Sequence, residues 1–500
     1  MKNSFLQTLF FLTIFFLLIG LSLISTALTI KNNVTFESCD IPTWCVGDSW
    51  IYTADPVTYF SQNGSFDGKI DDLKREVLGV TTISHGDDEF EVYQVDITGN
   101  ISGEMTWEIL SGDLEGEIQG ASYIRISDLA EVKTELVSTG TVYFLFIDWD
   151  YEMTNINLFF PPLELYDFPL KVYDLWEISC NSLSSGSFIV EDLIQEEFSE
   201  SGWLDQTMQC ISKESVSVPA GDFDSYKMTY SSDTAWYSPE VGNIIKSEVE
   251  HGGTNNSFNM DLSLESFSRG TQPINVSEDI DPSEAFIDQE INISGRVVDS
   301  NSNPIQNADV SIEIPRIGQS WFTSTDEDGY YKKTIEAPYI FDDTPSPDEF
   351  GSDGVIVHCS ADELEGYKVK SLLIIANLPP DSPVIKGPIK GKPGIDYDYE
   401  FFSTDADADE LYYFVEWGDG TDSGWRGPYS DEKMILSHTW DEKGSFKIRA
   451  KAKDIYSESD WRELEVTMPK HKILYFSLFE SLFDLFPNSF PILRYIFRLI

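Results

Sequence analysis

Apolar and aromatic residues alternate with polar ones along most of this chain, and a 3.6-residue periodicity is weak. A period of two puts every second side chain on one face, so such a chain folds into strands that each bury one face. Between residues 36 and 275, short apolar-aromatic runs are broken by clusters of Gly, Asp, Asn and Ser, the pattern of strands joined by turns. Gly103 to Gly140 reads as a meander with Gly at its corners, and Trp50 and Trp176 each fall in a strand just after a turn. The best helical stretch is short, near Asp192 to Ser199. The expected fold class is mainly β. At 500 residues the chain exceeds one ordinary domain, so it is also expected to be multidomain.

Charge narrows the partners. Against 86 Asp and Glu stand 33 Lys and Arg, a formal net charge of −53. That excludes general nucleic-acid affinity, which needs a basic surface, and favours contact with cations and basic partners. Aromatic residues are abundant, with 33 Phe, 23 Tyr and 12 Trp, enough to give several domains a core each.

The N-terminus has the layout of a targeting segment. Lys2 precedes an apolar run from Leu9 to Ile24, and Ser25-Thr26-Ala27 supplies small residues for cleavage after Ala27. Residues 1–27 are therefore expected to be a secretory signal peptide, with an uncleaved signal anchor as the alternative, and the location extracellular or at the cell surface. Six N-x-S/T sequons agree with export and mark glycosylation candidates: Asn33, Asn63, Asn100, Asn255, Asn275 and Asn292. In an oxidising compartment thiols pair. Cys180 and Cys210 lie in apolar, strand-like segments and are expected to form a disulfide across neighbouring strands, and Cys39 and Cys45 enclose a Pro-containing loop that a second bridge would close. The fifth, Cys359, shares a strand face with Val355 and Val357 and reads as a buried small apolar residue.

Four stretches resemble known modules. The run Val216 to Tyr230, with the turn Pro219-Ala220-Gly221-Asp222, and then Trp236-Tyr237-Ser238-Pro239, resembles the closing hairpins of secreted domains with the open, curved antiparallel sheet of lipoprotein carriers. The resemblance implies such a sheet over 36–275, with a half-open apolar interior suited to a hydrophobic ligand; the aromatic rows by themselves read as a plain packed core that holds no ligand. Residues 286–376 carry Gly295-Arg296-Val297-Val298-Asp299, Pro304-Ile305, Ala308-Asp309-Val310 and Asp328-Gly329-Tyr330. They resemble the carboxypeptidase regulatory-like domain, which implies a transthyretin-like β-sandwich and no peptidase site. Within it, Phe341 to Asp353 is an Asp- and Pro-rich insertion expected to be a surface loop. Residues 380–468 carry Trp417-Gly418-Asp419-Gly420-Thr421, His438-Thr439-Trp440 and Phe446 to Asp454, and resemble a PKD domain, an immunoglobulin-like sandwich of archaeal cell-surface proteins in particular. Gly418 and Gly420 would make the strand-to-strand turn, Phe446, Ile448, Ala450 and Ala452 would face inward, and Lys447, Arg449, Lys451 and Lys453 outward. Residues 471–500 carry Phe486-Pro487 and then Phe490-Pro491-Ile492-Leu493-Arg494, and resemble a short apolar tail found on archaeal surface proteins. With Ser477, Glu480, Ser481 and Asp484 on one face and a stop at Pro487, they are expected to be an amphipathic helical hairpin making peripheral membrane or protein contact.

Catalytic signatures are absent from the sequence: no nucleophile elbow, no metalloprotease helix motif, no phosphate loop and no dinucleotide fingerprint. The five His are scattered. Asp405, Asp407 and Asp409 offer oxygens at alternate positions, as a calcium loop would, without the Gly and distal Glu of an EF-hand. The sequence thus points to a non-catalytic secreted or cell-surface protein for adhesion or extracellular binding, without a cofactor. The β-sandwiches would act as spacers, and the partners would be surface proteins or glycans. The alternative is a carrier that captures a hydrophobic small molecule or glycan in the first domain, and a glycosidase-like enzyme stands third.

Overall fold

The structure is a computed structural model that describes residues 38–61, 64–85, 88–107, 110–191, 193–252, 256–287, 289–340, 350–377, 379–405, 409–429, 433–454 and 457–468. The signal segment 1–27, residues 341–349 of the expected insertion, the tail 471–500, and Asn33, Asn63, Asn255 and Asp407 lie outside these residues. The described residues fold almost wholly into strands, and the helical element among them is a 3-10 turn at Pro315–Ile317. The described residues fold as two compact units, the first holding those up to 340 and from 350 to 375, the second those from 376 to 468.

The first unit opens with a short strand, β1 (Ser38–Cys39). Then follow β2 (Ser49–Ser61), β3 (Gly64–His85), β4 (Asp88–Trp107), β5 (Leu110–Arg125), β6 (Glu131–Phe144), β7 (Ile147–Leu163), β8 (Leu170–Lys171), β9 (Leu175–Val190), β10 (Ile194–Val218), β11 (Gly221–Tyr230), β12 (Asp233–Ser238), β13 (Asn243–Gly252) and β14 (Asn256–Ser268). Apart from β1 and β8, which pair with each other, these strands form a closed barrel in the order β10-β11-β12-β13-β14-β2-β3-β4-β5-β6-β7-β9. This corrects the open curved sheet expected from the sequence. The long strand β10 pairs with β11 through one stretch and with β9 from Ile194 to Gln209, which joins the two edges and leaves neither exposed. The same strand overturns the helix expected near Asp192, because Ile194, Glu196 and Phe198 lie in a ladder with Val190, Phe188 and Gly186.

Most inward positions of the barrel are apolar and join one continuous cluster that includes Trp50, Tyr93, Ile97, Phe144, Phe159, Phe188 and Tyr237. Alternation along each strand sets these rows, as in β9, where Trp176, Ile178 and Cys180 are buried between exposed neighbours.

The expected Cys180–Cys210 disulfide is contradicted. Their strands are neighbours, as expected, but Cys180 lies opposite Leu204, six residues before Cys210. At about 3.3 Å per residue the two are roughly 20 Å apart, far beyond disulfide reach. Cys39 and Cys45 are free thiols as well: Cys39 is drawn into the pairing of β1 with β8, while the Cys45 sulfur accepts a hydrogen bond from Gln272 Nε2.

A two-sheet sandwich completes the first unit. One sheet holds β15 (Ile274–Val276), β16 (Asp279–Asp281), β18 (Glu290–Asp299) and β21 (Tyr330–Glu336). The other runs β17 (Glu284–Phe286), β23 (Leu364–Ile375), β22 (Phe350–Ala361), β19 (Asp309–Ile314), β20 (Gln319–Ser324). Because β15 pairs with β18, the sandwich begins at Ile274, twelve positions before residue 286 where the sequence placed its start. The end of the expected surface insertion is strand: Phe350 to Asp353 lie in β22, and Asp353 is buried.

In the second unit, the sheets β24 (Val384–Lys386), β25 (Asp396–Phe402), β28 (Met434–Thr439) and β27 (Arg426–Tyr429), β26 (Leu411–Glu416), β29 (Gly444–Lys453), β30 (Arg462–Met468) enclose a core of Tyr399, Phe401, Tyr413, Trp417, Trp440, Ile448 and Val466. Gly418 and Gly420 take φ of +80° and +94°, a left-handed backbone that side chains with a Cβ rarely adopt.

Candidate functional site

Two places in the first unit gather chemistry: the barrel interior and the seam where the sandwich meets the barrel. Inside the barrel, the apolar lining is interrupted by a row of polar side chains. Ser122 on β5, Thr134 on β6, Asn157 on β7 and Ser184 on β9 stand directly opposite one another in register. All are buried. The Ser122 and Thr134 hydroxyls are 2.9 Å apart, and Ser184 donates to Asn157 Oδ1 at 2.5 Å. Two residues from Asn157 on the same face, Asn155 is 1% exposed, and neither end of its amide has a hydrogen-bond partner among the described residues. The Asn157 amide nitrogen is likewise unpartnered among them. Burying such groups without a partner costs about 1–3 kcal/mol each, so an interior built this way favours whatever supplies the bonds.

The row ends at an ionisable group. Thr134 donates its hydroxyl proton to Glu131, a buried carboxyl pushed up to about 7 by desolvation, against the pull of the Thr134 hydrogen bond and the Arg75 charge. Alternation explains how the residues reach the interior, since Asn155 and Asn157 occupy inward positions of β7 between Met153 and Phe159. The sequence alone does not single them out. Asn at two successive inward positions of an apolar strand is the available signal, but joining it to Ser122, Thr134 and Ser184 needs the register of four strands.

At the seam, sandwich residues Ile356 and Val369 belong to the barrel's own apolar cluster. Hydrogen bonds run across it. Tyr367 donates its hydroxyl proton to the Trp44 carbonyl, the Val369 N–H donates to Thr43 Oγ1 at 3.0 Å, and the Ser371 N–H donates to Asp40 Oδ1 at 2.8 Å. Half-buried Arg125 pairs with Asp128 and Glu164. Nearby, burial pushes the Asp353 carboxyl up to about 7, reinforced by Asp128 and opposed by Arg125. On the same seam Glu91, Glu313 and His358 bring one ligand atom each within 4.8 Å of the others. Burial by itself would lower the His358 imidazole, but the hydrogen bond and charge of Glu91, together with the charges of Glu313 and Glu365, hold the ring above its ordinary value.

The residues singled out from the sequence are dispersed. The Asp409 N–H points at Asp405 Oδ1 at 3.5 Å, a turn contact. Of the described sequons, Asn100 and Asn275 are exposed, while Asn292 is half-buried and accepts a hydrogen bond from Thr334. The basic row of β29 is engaged with its own sheet: Lys447 pairs with Glu463 at 2.8 Å and Arg449 with Glu416 at 3.2 Å. Arg449 also lies 4.3 Å over the Trp461 ring and Lys453 4.7 Å over Trp425. His438 stacks on Trp417 and bonds Asp419 at 2.7 Å, so it serves the sandwich.

No family model and no curated protein matches this sequence. Solved structures that resemble it include a PKD domain of an M14-like peptidase from a Thermoplasmatales archaeon, at 54% identity over 19% of this chain and 100% of that one, with a TM-score of 0.19. The Yersinia pseudotuberculosis adhesin InvE is similar at 14% identity over 40% of this chain and 61% of its own, with a TM-score of 0.18. An I-band fragment of titin is similar at 12% identity over 60% of this chain and 93% of its own, with a TM-score of 0.20. The chain is thus a multi-sheet, nearly all-β protein with a stretch, 19% of its length, that matches an archaeal PKD domain.

Proposed function

We propose that this chain is a non-catalytic extracellular binding protein whose barrel is the binding element, with the PKD-like unit as a spacer and the other sandwich as a docked support. The observation that carries the reading is the pair Asn155 and Asn157, buried in the barrel with the whole Asn155 amide and the Asn157 amide nitrogen left unpartnered among the described residues. An interior meant only to be packed would place apolar side chains there. Amides and hydroxyls in register suit a small ligand rich in hydrogen-bonding groups, a sugar above all, and shift the expected ligand from hydrophobic to polar.

Native mass spectrometry of the protein purified from its own host tests this. A small polar molecule should be retained by the native chain and lost from Asn155→Leu with Asn157→Leu. A chain that carries no ligand, together with a double variant that is simply more stable, would defeat the reading.

A second reading, adhesion through the barrel's surface, is favoured by the β6–β7 hairpin tip. There Tyr143, Leu145, Phe146 and Ile147 are exposed, Phe146 at 90%. Replacing Leu145 and Phe146 by Ser should abolish surface attachment without changing ligand retention.

A further inference from the structure

We infer that Glu91, Glu313 and His358 form a divalent transition-metal site, with Zn2+ the fitting ion, that pins the sandwich to the rim of the barrel. The three residues come from three strands and two folds: Glu91 from β4 of the barrel, Glu313 from β19 and His358 from β22 of the sandwich. In the β19–β22 ladder His358 stands opposite Ser311 and Glu313 opposite Ile356, so Glu313 and His358 are diagonal neighbours on one face. That face meets the barrel through Ile356, and there Glu91 Oε2 lies 3.4 Å from His358 Nε2.

The geometry suits a metal. Donor atoms all within 4.8 Å of one another surround a point no more than about 2.8 Å from each, so small side-chain rotations reach the 2.0–2.2 Å of Zn–N and Zn–O bonds. The surroundings hold the ligands in place. Ser311 donates to Glu313 Oε1 at 2.7 Å, which orients that carboxylate. The Glu91 carbonyl accepts the Ile126 N–H at 3.1 Å. The His358 ring packs 5.9 Å from the ring of Tyr367, whose hydroxyl donates to the Trp44 carbonyl and whose main-chain N–H donates to Gln272 Oε1.

Charge points the same way. Among the described residues neither carboxylate is paired with a Lys or Arg; Glu91 has only His358, at a distance long for a strong charged hydrogen bond. Two carboxylates partly sheltered in a seam repel each other, and a bound cation removes that repulsion. An imidazole among the donors selects a borderline ion such as Zn2+ over the hard ions Ca2+ and Mg2+, which take oxygen. Because one ligand belongs to the barrel and two to the sandwich, binding would hold both parts in their observed packing.

The test uses the full chain, stripped with chelator and titrated calorimetrically with ZnCl2 in excess Ca2+, which occupies the acidic surface. One Zn2+ per chain is expected. Glu313→Gln and His358→Gln should each weaken binding by more than about tenfold, and exposed Glu240→Gln should leave it unchanged. Co2+ in place of Zn2+ should give a visible absorption band that Glu313→Gln removes. Near-UV circular dichroism checks that each variant is folded; if a sandwich variant is not, Glu91→Gln reports from the barrel side. Wild-type protein with no Zn2+ bound above Ca2+, or full binding in every folded ligand variant, overturns the inference.

Discussion

The hydroxyl of Tyr367, in the sandwich, donates its proton to the main-chain carbonyl of Trp44, in the segment that leads into the barrel, across 323 positions of sequence. Trp44 packs in turn on Trp50 and Tyr93, with ring centroids 4.9 and 5.2 Å away. The bond therefore ties the sandwich to the centre of the barrel's aromatic cluster. Tyr367→Phe keeps the ring and leaves a buried carbonyl unpaired, so the first unit should lose about 1–3 kcal/mol, read as a lower denaturant midpoint. An unchanged midpoint would mean that the contact contributes nothing.

Backbone fit at the same seam gives a second expectation. A Cβ on Gly354 of β22 would overlap the Ser127 carbonyl of the barrel. Gly354→Ala should push the two surfaces apart and destabilise the first unit, by about 1–3 kcal/mol as overpacking usually does. Limited proteolysis should then cut the chain between barrel and sandwich faster than in the wild type.

Glu131 makes stability depend on pH. Its folded pKa of about 7 lies above its ordinary value, so between about pH 4.5 and 7 the folded chain holds a proton that the unfolded chain releases. Stability contributed by this group therefore falls as pH rises through that window, by roughly 3 kcal/mol in total. Glu131→Gln should flatten that part of the profile in thermal melts at pH 5, 6 and 7. Asp353, also raised to about 7, contributes a slope of the same sign that should persist in the variant.

The thiols should react in a set order. Burial pushes Cys39, Cys180, Cys210 and Cys359 up to about 12, so little thiolate forms at neutral pH. Cys45 is the least buried of the five. Alkylation of native protein should label Cys45 first, and all five should label after unfolding without reductant. A mass two hydrogens lower per pair would reveal a bridge and contradict the free thiols.

In the second unit, Trp440 is 1% exposed and donates Nε1–H to the Trp417 carbonyl at 3.2 Å. Trp440→Ala should cost that unit about 3–5 kcal/mol, seen as an earlier unfolding transition in calorimetry.

Alternation alone determined a good part of this protein. Period two placed Phe446, Ile448, Ala450 and Ala452 toward the core and the β29 cations outward, and the Trp417-to-Thr421 turn could be read from its glycines, because each feature depends on residues two to five positions apart. The all-β class followed for the same reason. Closure of the barrel did not, since whether β9 meets β10 depends on strands finding partners, and an unpaired edge and a paired one carry the same alternation. Register decided the rest. It set Cys180 against Leu204 instead of Cys210, lined up Ser122, Thr134, Asn157 and Ser184, and brought Glu91 to Glu313 and His358 from more than two hundred positions away. Such pairings come from the fit of whole surfaces, so only the tertiary structure decided where this chain gathers its chemistry.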